Sequence, residues 1–210
     1  MEKNQHTWHK AASAVYTAHL VYAVVAILSA IATLFATKMM VSDILAGHRF
    51  GTGFLVLILF GLISLAVAAW IVFTLGNFKK VVVHAEDQKS VGHVYLGWIL
   101  QLVGALFVSV LVFFAPFLAL LGGICALVGW ILALSGYMKL KASSTFPAQA
   151  RKGASLLFLA MVVMFCGAIV MMILGRIPVV GIVLQLAIIL TGYAMMVLGW
   201  KDIKESKLEA

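Results

Sequence analysis

The feature that most constrains the fold is residues 93–138, an apolar stretch that contains no Asp, Glu, Lys or Arg. As a single helix the stretch would be about 69 Å long, since an α-helix rises about 1.5 Å per residue. The hydrocarbon core of a bilayer is only about 30 Å thick. The stretch is therefore predicted to cross a membrane twice as a helical hairpin, with Pro116 in the first turn of the second helix.

The second half of this stretch carries small residues at heptad spacing. Alternating steps of four and three residues place them on one face of a helix. These residues are Ala115, Ala119, Gly122, Ala126, Gly129, Ala133 and Gly136. Helices in lipid gain little from hydrophobic association but gain from close backbone contact, which small side chains permit. The pattern therefore predicts a helix-packing stripe, with a left-handed crossing of about +20° to its neighbours.

The composition extends this prediction to the whole chain. Of the 210 residues, 64% are hydrophobic and 10% are charged, whereas about 25% of residues in soluble domains are charged. A bilayer crossing needs about 20 apolar residues, and six segments reach roughly this length. The predicted spans are residues 15–37, 53–76, 93–113, 117–138, 154–174 and 179–200. We therefore predict an all-α integral membrane protein, a six-transmembrane-helix bundle built from three helical hairpins.

The basic residues predict how this bundle is oriented. Of the 15 Lys and Arg residues, all but three lie on one side of the predicted membrane. The three on the other side are Lys38, Arg49 and Arg176. Because cytoplasmic loops carry the excess of Lys and Arg, both termini are predicted to be cytoplasmic, and we expect the plasma (inner) membrane. The chain then divides into a cytoplasmic N-terminal segment (1–14), a transmembrane domain (15–200) and a charged cytoplasmic tail (201–210).

The same residues account for the net charge of +8. Basic side chains beside apolar spans meet anionic lipid headgroups, so we expect the lipid bilayer as a partner and no nucleic acid. One cytoplasmic connection also contains acids, and it is predicted to be either a partner surface or a solvated connector. Its charged residues are Lys79, Lys80, Glu86, Asp87 and Lys89.

Few polar groups lie inside the predicted spans, and none well inside a span is Asp, Glu, Lys or Arg. Proton relays, ion-coupled transport and voltage sensing usually need ionisable residues at that depth. Gln101 and Gln185 are the most polar of the remaining groups, and each stands between two leucines. They are predicted to form interhelical hydrogen bonds. The alternative is that they line a polar path for a solute.

The histidines give weaker signals. His6 and His9 have the spacing of metal ligands but lack a Cys or carboxylate partner. His19 and His93 lie near the cytoplasmic ends of two spans, where histidine is usually an amphipathic interface residue. A shared proton or metal site is the alternative for this pair.

The remaining reactive side chains do not form a recognisable catalytic set. Asp43, His48 and Arg49 make the most polar loop outside the spans, without a second carboxylate or a nucleophile motif. Cys125 and Cys166 lie within apolar spans and do not form a disulfide framework. We therefore predict no catalytic residue, no metal and no cofactor, and a protein that is not an enzyme.

These residues favour two functions over a third, an enzyme that uses the His48 loop or the cytoplasmic histidines. The favoured one is a non-enzymatic membrane protein that acts by helix packing with a partner membrane protein, with itself as a homo-oligomer, or with lipid, because packing faces are many and reactive groups are few. The alternative is a passive or weakly coupled transporter or channel for a small solute. A weak internal repeat supports the hairpins on which that alternative depends, since Trp70 precedes Gly76 at the spacing that separates Trp130 from Gly136.

Overall fold

The computed structural model describes residues 2–47, 51–109, 115, 117–174 and 177–208. This part of the chain folds into six α-helices and contains no strand. The helices are α1 (Glu2–Leu45), α2 (Thr52–Val81), α3 (Ala85–Ser109), α4 (Leu118–Ala142), α5 (Ala148–Leu174) and α6 (Pro178–Glu205). Each is long and apolar enough to cross a membrane. The predictions of an all-helical fold and of six helices able to cross a membrane are confirmed.

The helices extend beyond the predicted spans, chiefly at the ends that carry lysines. α1 begins at Glu2 and ends at Leu45, whereas the predicted span covers 15–37. Hydropathy marks where apolar side chains stop, but backbone hydrogen bonding continues past that point. Lysines in a last turn are also stabilised by the partial negative charge of the helix C-terminus. Such lysines close α2, α4 and α6, namely Lys79, Lys80, Lys139, Lys141 and Lys204.

The six helices form a closed ring. Each packs against the helices that precede and follow it, and α1 packs against α6. The most extensive contacts are within the pairs α1–α2, α3–α4 and α5–α6, and no other pairs of helices come into backbone contact within the described ranges. The packed partners are antiparallel, since the start of each odd-numbered helix lies beside the end of its even-numbered neighbour. The first residues of α1, α3 and α5 and the last residues of α2, α4 and α6 thus lie at one end of the ring, which we call the basic end. We call the opposite end the far end.

Glycine-to-backbone contacts hold α3 against α4. A Cβ atom placed on Gly97 would lie 2.5 Å from the carbonyl oxygen of Gly129, and one placed on Gly129 would lie 2.5 Å from the carbonyl oxygen of Gly97. Gly104 and Gly122 oppose each other in the same way, at 2.6 and 2.8 Å. Any side chain at these positions would occupy the space of the neighbouring backbone. The two helices therefore touch through their main chains.

The predicted stripe on α4 lies largely on this contact face. Within it Gly122, Gly129, Ala133 and Gly136 are buried. The other three members are partly buried, and these are Ala115, Ala119 and Ala126. The opposite face of α4 carries Leu120, Ile124 and Ile131, which are 71%, 51% and 51% exposed.

The two ends of the chain are joined at the basic end. The Gln5 side chain donates from Nε2 to the carbonyl oxygen of Ser206 at 3.1 Å and accepts at Oε1 from the amide of Leu208 at 2.7 Å. Trp8 Nε1 donates to the Ile203 carbonyl oxygen at 3.2 Å. The carbonyls of a last helical turn have no partner within the helix. At the end of α6, α1 supplies donors to the Ile203 and Ser206 carbonyls, and the Ser206 hydroxyl also donates to the Ile203 carbonyl at 2.7 Å. The described part of the predicted cytoplasmic segment (1–14), residues 2–14, forms the first turns of α1.

Candidate functional site in the interior of the ring

Aromatic side chains fill the ring at the basic end. Trp8 packs edge-to-face with Phe78 at 5.0 Å and with Phe146 at 5.7 Å between ring centroids. Phe78 meets Trp200 at 5.6 Å. Because α2 and α6 are not neighbours in the ring, a contact between Phe78 and Trp200 is made inside it. We call this buried set the aromatic plug, and its members are Trp8, Phe78, Trp98, Tyr137, Phe146 and Trp200.

His19 lies within the aromatic plug and is fully buried. Its ring is 5.2 Å from the rings of both Trp98 and Trp200. Nδ1 donates to the Val15 carbonyl oxygen at 2.9 Å, and buried Nε2 has no partner among the described residues. His93, considered above as its possible partner, is half-buried, and no hydrogen bond or ring contact joins the two in the described part of the chain.

Two further polar atoms in the aromatic plug form no well-aligned hydrogen bond within the described residues, although the side chains of Trp98 and Trp200 interact with one of them, the Tyr137 hydroxyl. These are the Tyr137 hydroxyl and Trp200 Nε1, and both side chains are 2% exposed. An unpaired buried polar atom costs about 1–3 kcal/mol, and internal water commonly supplies the missing partner. The aromatic plug is thus apolar in packing but carries polar atoms from α1, α4 and α6 in its interior.

Beyond the aromatic plug, towards the far end, the ring contains a cavity of about 630 Å³. We call it the interior cavity. It is lined by residues of α1, α2, α3 and α4, including Tyr22, Ser64, Trp98 and Gln101. Tyr22 and Trp98 pack edge-to-face at 5.5 Å and form its wall on the side of the aromatic plug.

The two glutamines predicted from the sequence lie in different environments. Gln101 is partly buried and lines the interior cavity, and its Nε2 atom is buried without a hydrogen-bond partner among the described residues. Gln185 is exposed on α6 beside Ile182 and Val183, which are 41% and 64% exposed. The structure therefore does not bring the two amides together. Their roles in bonding or solute passage stay predictions.

A second cavity, of about 800 Å³, opens at the basic end. It lies between the start of α1, the connections after α2 and α4, and the C-terminal tail. Trp8 and Phe146 of the aromatic plug form part of its wall, and it shares no lining residue with the interior cavity. The aromatic plug thus separates the two.

Asp87 borders this basic-end cavity and is only 2% exposed. It accepts a hydrogen bond from Thr145 Oγ1 at 2.8 Å, and it lies in the first turn of α3, where the helix N-terminus stabilises negative charge. The sequence predicted a mixed-charge loop here, but the connection between α2 and α3 contains only residues 82–84. The lysines and acids of the predicted loop belong to α2 and α3, and one of these acids is buried.

The other candidate residues are dispersed. His6 and His9 are exposed, and His9 Nδ1 donates to the Lys204 carbonyl oxygen at 3.1 Å. The described residues contain no group of three or more His, Cys, Asp or Glu side chains that could hold a metal ion. Asp43 accepts a hydrogen bond from the Gly53 amide at 3.3 Å, and its predicted loop companions His48 and Arg49 lie outside the described residues.

Sequence reasoning missed the aromatic plug, although a signal for part of it was present. Trp8, Ala12, Val15 and His19 follow steps of four, three and four, and all are buried. This stripe begins before the predicted span at residue 15, so the end of the apolar segment concealed it. The rings from α2, α3, α4 and α6 gave no comparable signal, because their meeting depends on the closure of the ring.

The comparisons with known proteins give no family for this chain, since no family model, no curated protein and no solved structure matches it. The fold and the site define a class: a multi-pass membrane protein with six helices and an interior cavity behind an aromatic plug.

Proposed function

We propose that this is a non-enzymatic protein of the plasma (inner) membrane, built from three hairpins with both termini cytoplasmic. It acts through packing against lipid, a second copy of itself or another membrane protein. The observation that carries the proposal is the aromatic plug, which occupies the interior of the ring between the two cavities. A solute crossing the bundle would have to displace rings that are at most 4% exposed.

The outward faces of the helices agree with this function. Leu59 on α2, Leu120 on α4 and Val183 on α6 are 55%, 71% and 64% exposed. Apolar surface of this extent on a membrane protein contacts acyl chains or another helix. Reactive groups are few on these faces, whereas large apolar side chains are abundant.

The test is solute flux through the purified protein in liposomes. We expect glycerol, urea and K⁺ to cross proteoliposomes no faster than empty liposomes. Flux of any of these above the leak of empty liposomes, proportional to the amount of folded protein, would refute the packing function.

The interior cavity favours one second candidate, a passive path for a small solute. Gln101 places an amide on its wall near the middle of α3. If this amide lines a path, Gln101→Leu should change flux while the amount of folded protein stays normal. Gln185→Leu is the matched control, because the same change is made on an exposed face. If both variants fold normally and neither differs from the wild type in flux, a path lined by Gln101 is excluded.

A further inference from the structure

We propose that the interior cavity is a binding site for a lipid alcohol, an apolar molecule that carries a hydroxyl group. The hydroxyl is held by the amide of Gln101 and the apolar body lies between α1, α2, α3 and α4. This binding site goes beyond the packing function. It rests on that function in one respect, because both require that the aromatic plug closes the cavity at the basic end and makes it a compartment and not a passage.

The size and position of the interior cavity suit such a molecule. Its volume of about 630 Å³ falls within the range of about 300–1,000 Å³ typical of small-molecule sites. It lies between helices that are long and apolar enough to span the membrane, so a molecule dissolved in the bilayer can approach it from between them. Most of its lining is aliphatic, aromatic or glycine, with polar groups at a few positions.

The polar groups define the chemistry of the ligand. Gln101 has a buried Nε2 without a partner among the described residues, and Ser29 and Ser64 line the same cavity from α1 and α2. An amide both donates and accepts hydrogen bonds, and so does a hydroxyl, so a ligand hydroxyl fits either orientation of the amide. None of the cavity-lining residues is charged, which disfavours a phosphate or a carboxylate in the site.

Two glycines in the lining keep this space open and do not bring helices together. A Cβ placed on Gly61 or on Gly123 would meet no atom within 4 Å. The glycines of the α3–α4 contact differ, because a Cβ on Gly104 would lie 2.6 Å from the Gly122 carbonyl oxygen. Gly61 and Gly123 are therefore not needed for backbone contact, and a large side chain at either position would occupy the cavity.

The experiment is photo-crosslinking of the full chain in lipid nanodiscs. Two probes that carry a diazirine are used separately, a monoacylglycerol and a sterol, and labelled residues are mapped by mass spectrometry. We expect one probe to label the cavity walls within residues 64–68 and 101–109, with competition by the same unlabelled alcohol. The probe that labels identifies the source of the hydroxyl.

Three variants make the test specific. Gly61→Phe should abolish the cavity label, whereas Leu62→Phe, on an adjacent residue that is 53% exposed, should leave it unchanged. Gln101→Leu should weaken labelling about five- to tenfold, the loss of roughly one hydrogen bond. If Gly61→Phe does not fold, Gly123→Phe fills the same cavity and replaces it.

Label confined to outward-facing residues such as Leu62 and Leu120 would overturn the proposal. Cavity label that persists in a folded Gly61→Phe or Gly123→Phe protein would also overturn it. The flux measurement decides the packing function separately, so each idea can fail while the other stands.

Discussion

Asp87 is a buried acidic residue with a hydrogen bond to a distant part of the chain. Asp87 is 2% exposed and joins the first turn of α3 to the connection after α4 through its hydrogen bond with Thr145. The neighbouring Glu86 is exposed. Two adjacent acids thus have different surroundings, and only the buried one is tied to another part of the chain.

We therefore expect Asp87→Ala to lower the free energy of unfolding by about 1–3 kcal/mol, because the Thr145 hydroxyl loses its acceptor. Glu86→Ala should change it by no more than about 0.5 kcal/mol. Thermal or denaturant unfolding of both variants in detergent makes the comparison. Equal losses would show that the Asp87–Thr145 bond is not a structural link.

The two glutamines show which information hydropathy lacks. Gln101 and Gln185 both stand between leucines, yet one lines the interior cavity and the other is exposed. A membrane span is apolar on all faces, so hydropathy carries little information on which face points inward. Small residues at heptad spacing carry that information for α3, where Gly97 and Gly104 flank Gln101.

At the scale of elements, backbone contact between α3 and α4 is the most specific feature. Gly97 and Gly129 each leave no space for a Cβ on the other. The pair α5–α6 is packed in the same way, since a Cβ placed on Gly153 or on Gly199 would overlap the carbonyl oxygen of the other. Close main-chain packing of this kind replaces the hydrophobic association that lipid does not provide.

Gly129→Leu should accordingly destabilise the protein by about 1–3 kcal/mol, the usual cost of overpacking a well-packed contact. Val128→Leu is the control, because Val128 is 43% exposed and lies off the contact face. Unfolding of the two variants by denaturant gives the difference. A similar loss in both would mean that the α4 stripe does not mark a contact face.

The sequence predicted the elements better than their ends. The existence of six spans followed from apolar length, because each bilayer crossing requires it. The extra turns of α1 did not follow, because Trp8 and Gln5 are held by Ile203, Ser206 and Leu208 from the other end of the chain. Contacts between residues so distant in sequence leave no local pattern.

At the scale of the molecule, ring closure places both ends of the chain together. α1 packs against α6, and most of the Lys and Arg residues gather at that same end. The excess of basic residues predicts that this end faces the cytoplasm. The far end, where α1 connects to α2, is then predicted to face the opposite side of the membrane.

Reporter fusions test this orientation. A reporter fused after Ala210 should show the cytoplasm, and one inserted after Gly47 should show the opposite side. A cytoplasmic signal at Gly47 would reverse the predicted orientation.

The aromatic plug closes the interior cavity at the basic end, and the accessibility of a single cysteine tests this closure. A single cysteine is placed on the interior cavity by Ala105→Cys in a Cys125→Ala, Cys166→Ala background. A charged, membrane-impermeant thiol reagent is then added at the basic end. We predict no reaction with the intact aromatic plug, reaction after Trp98→Ala, and rapid reaction of an exposed Ala142→Cys control. Reaction of the Ala105→Cys protein from the basic end with Trp98 in place would contradict the closed interior.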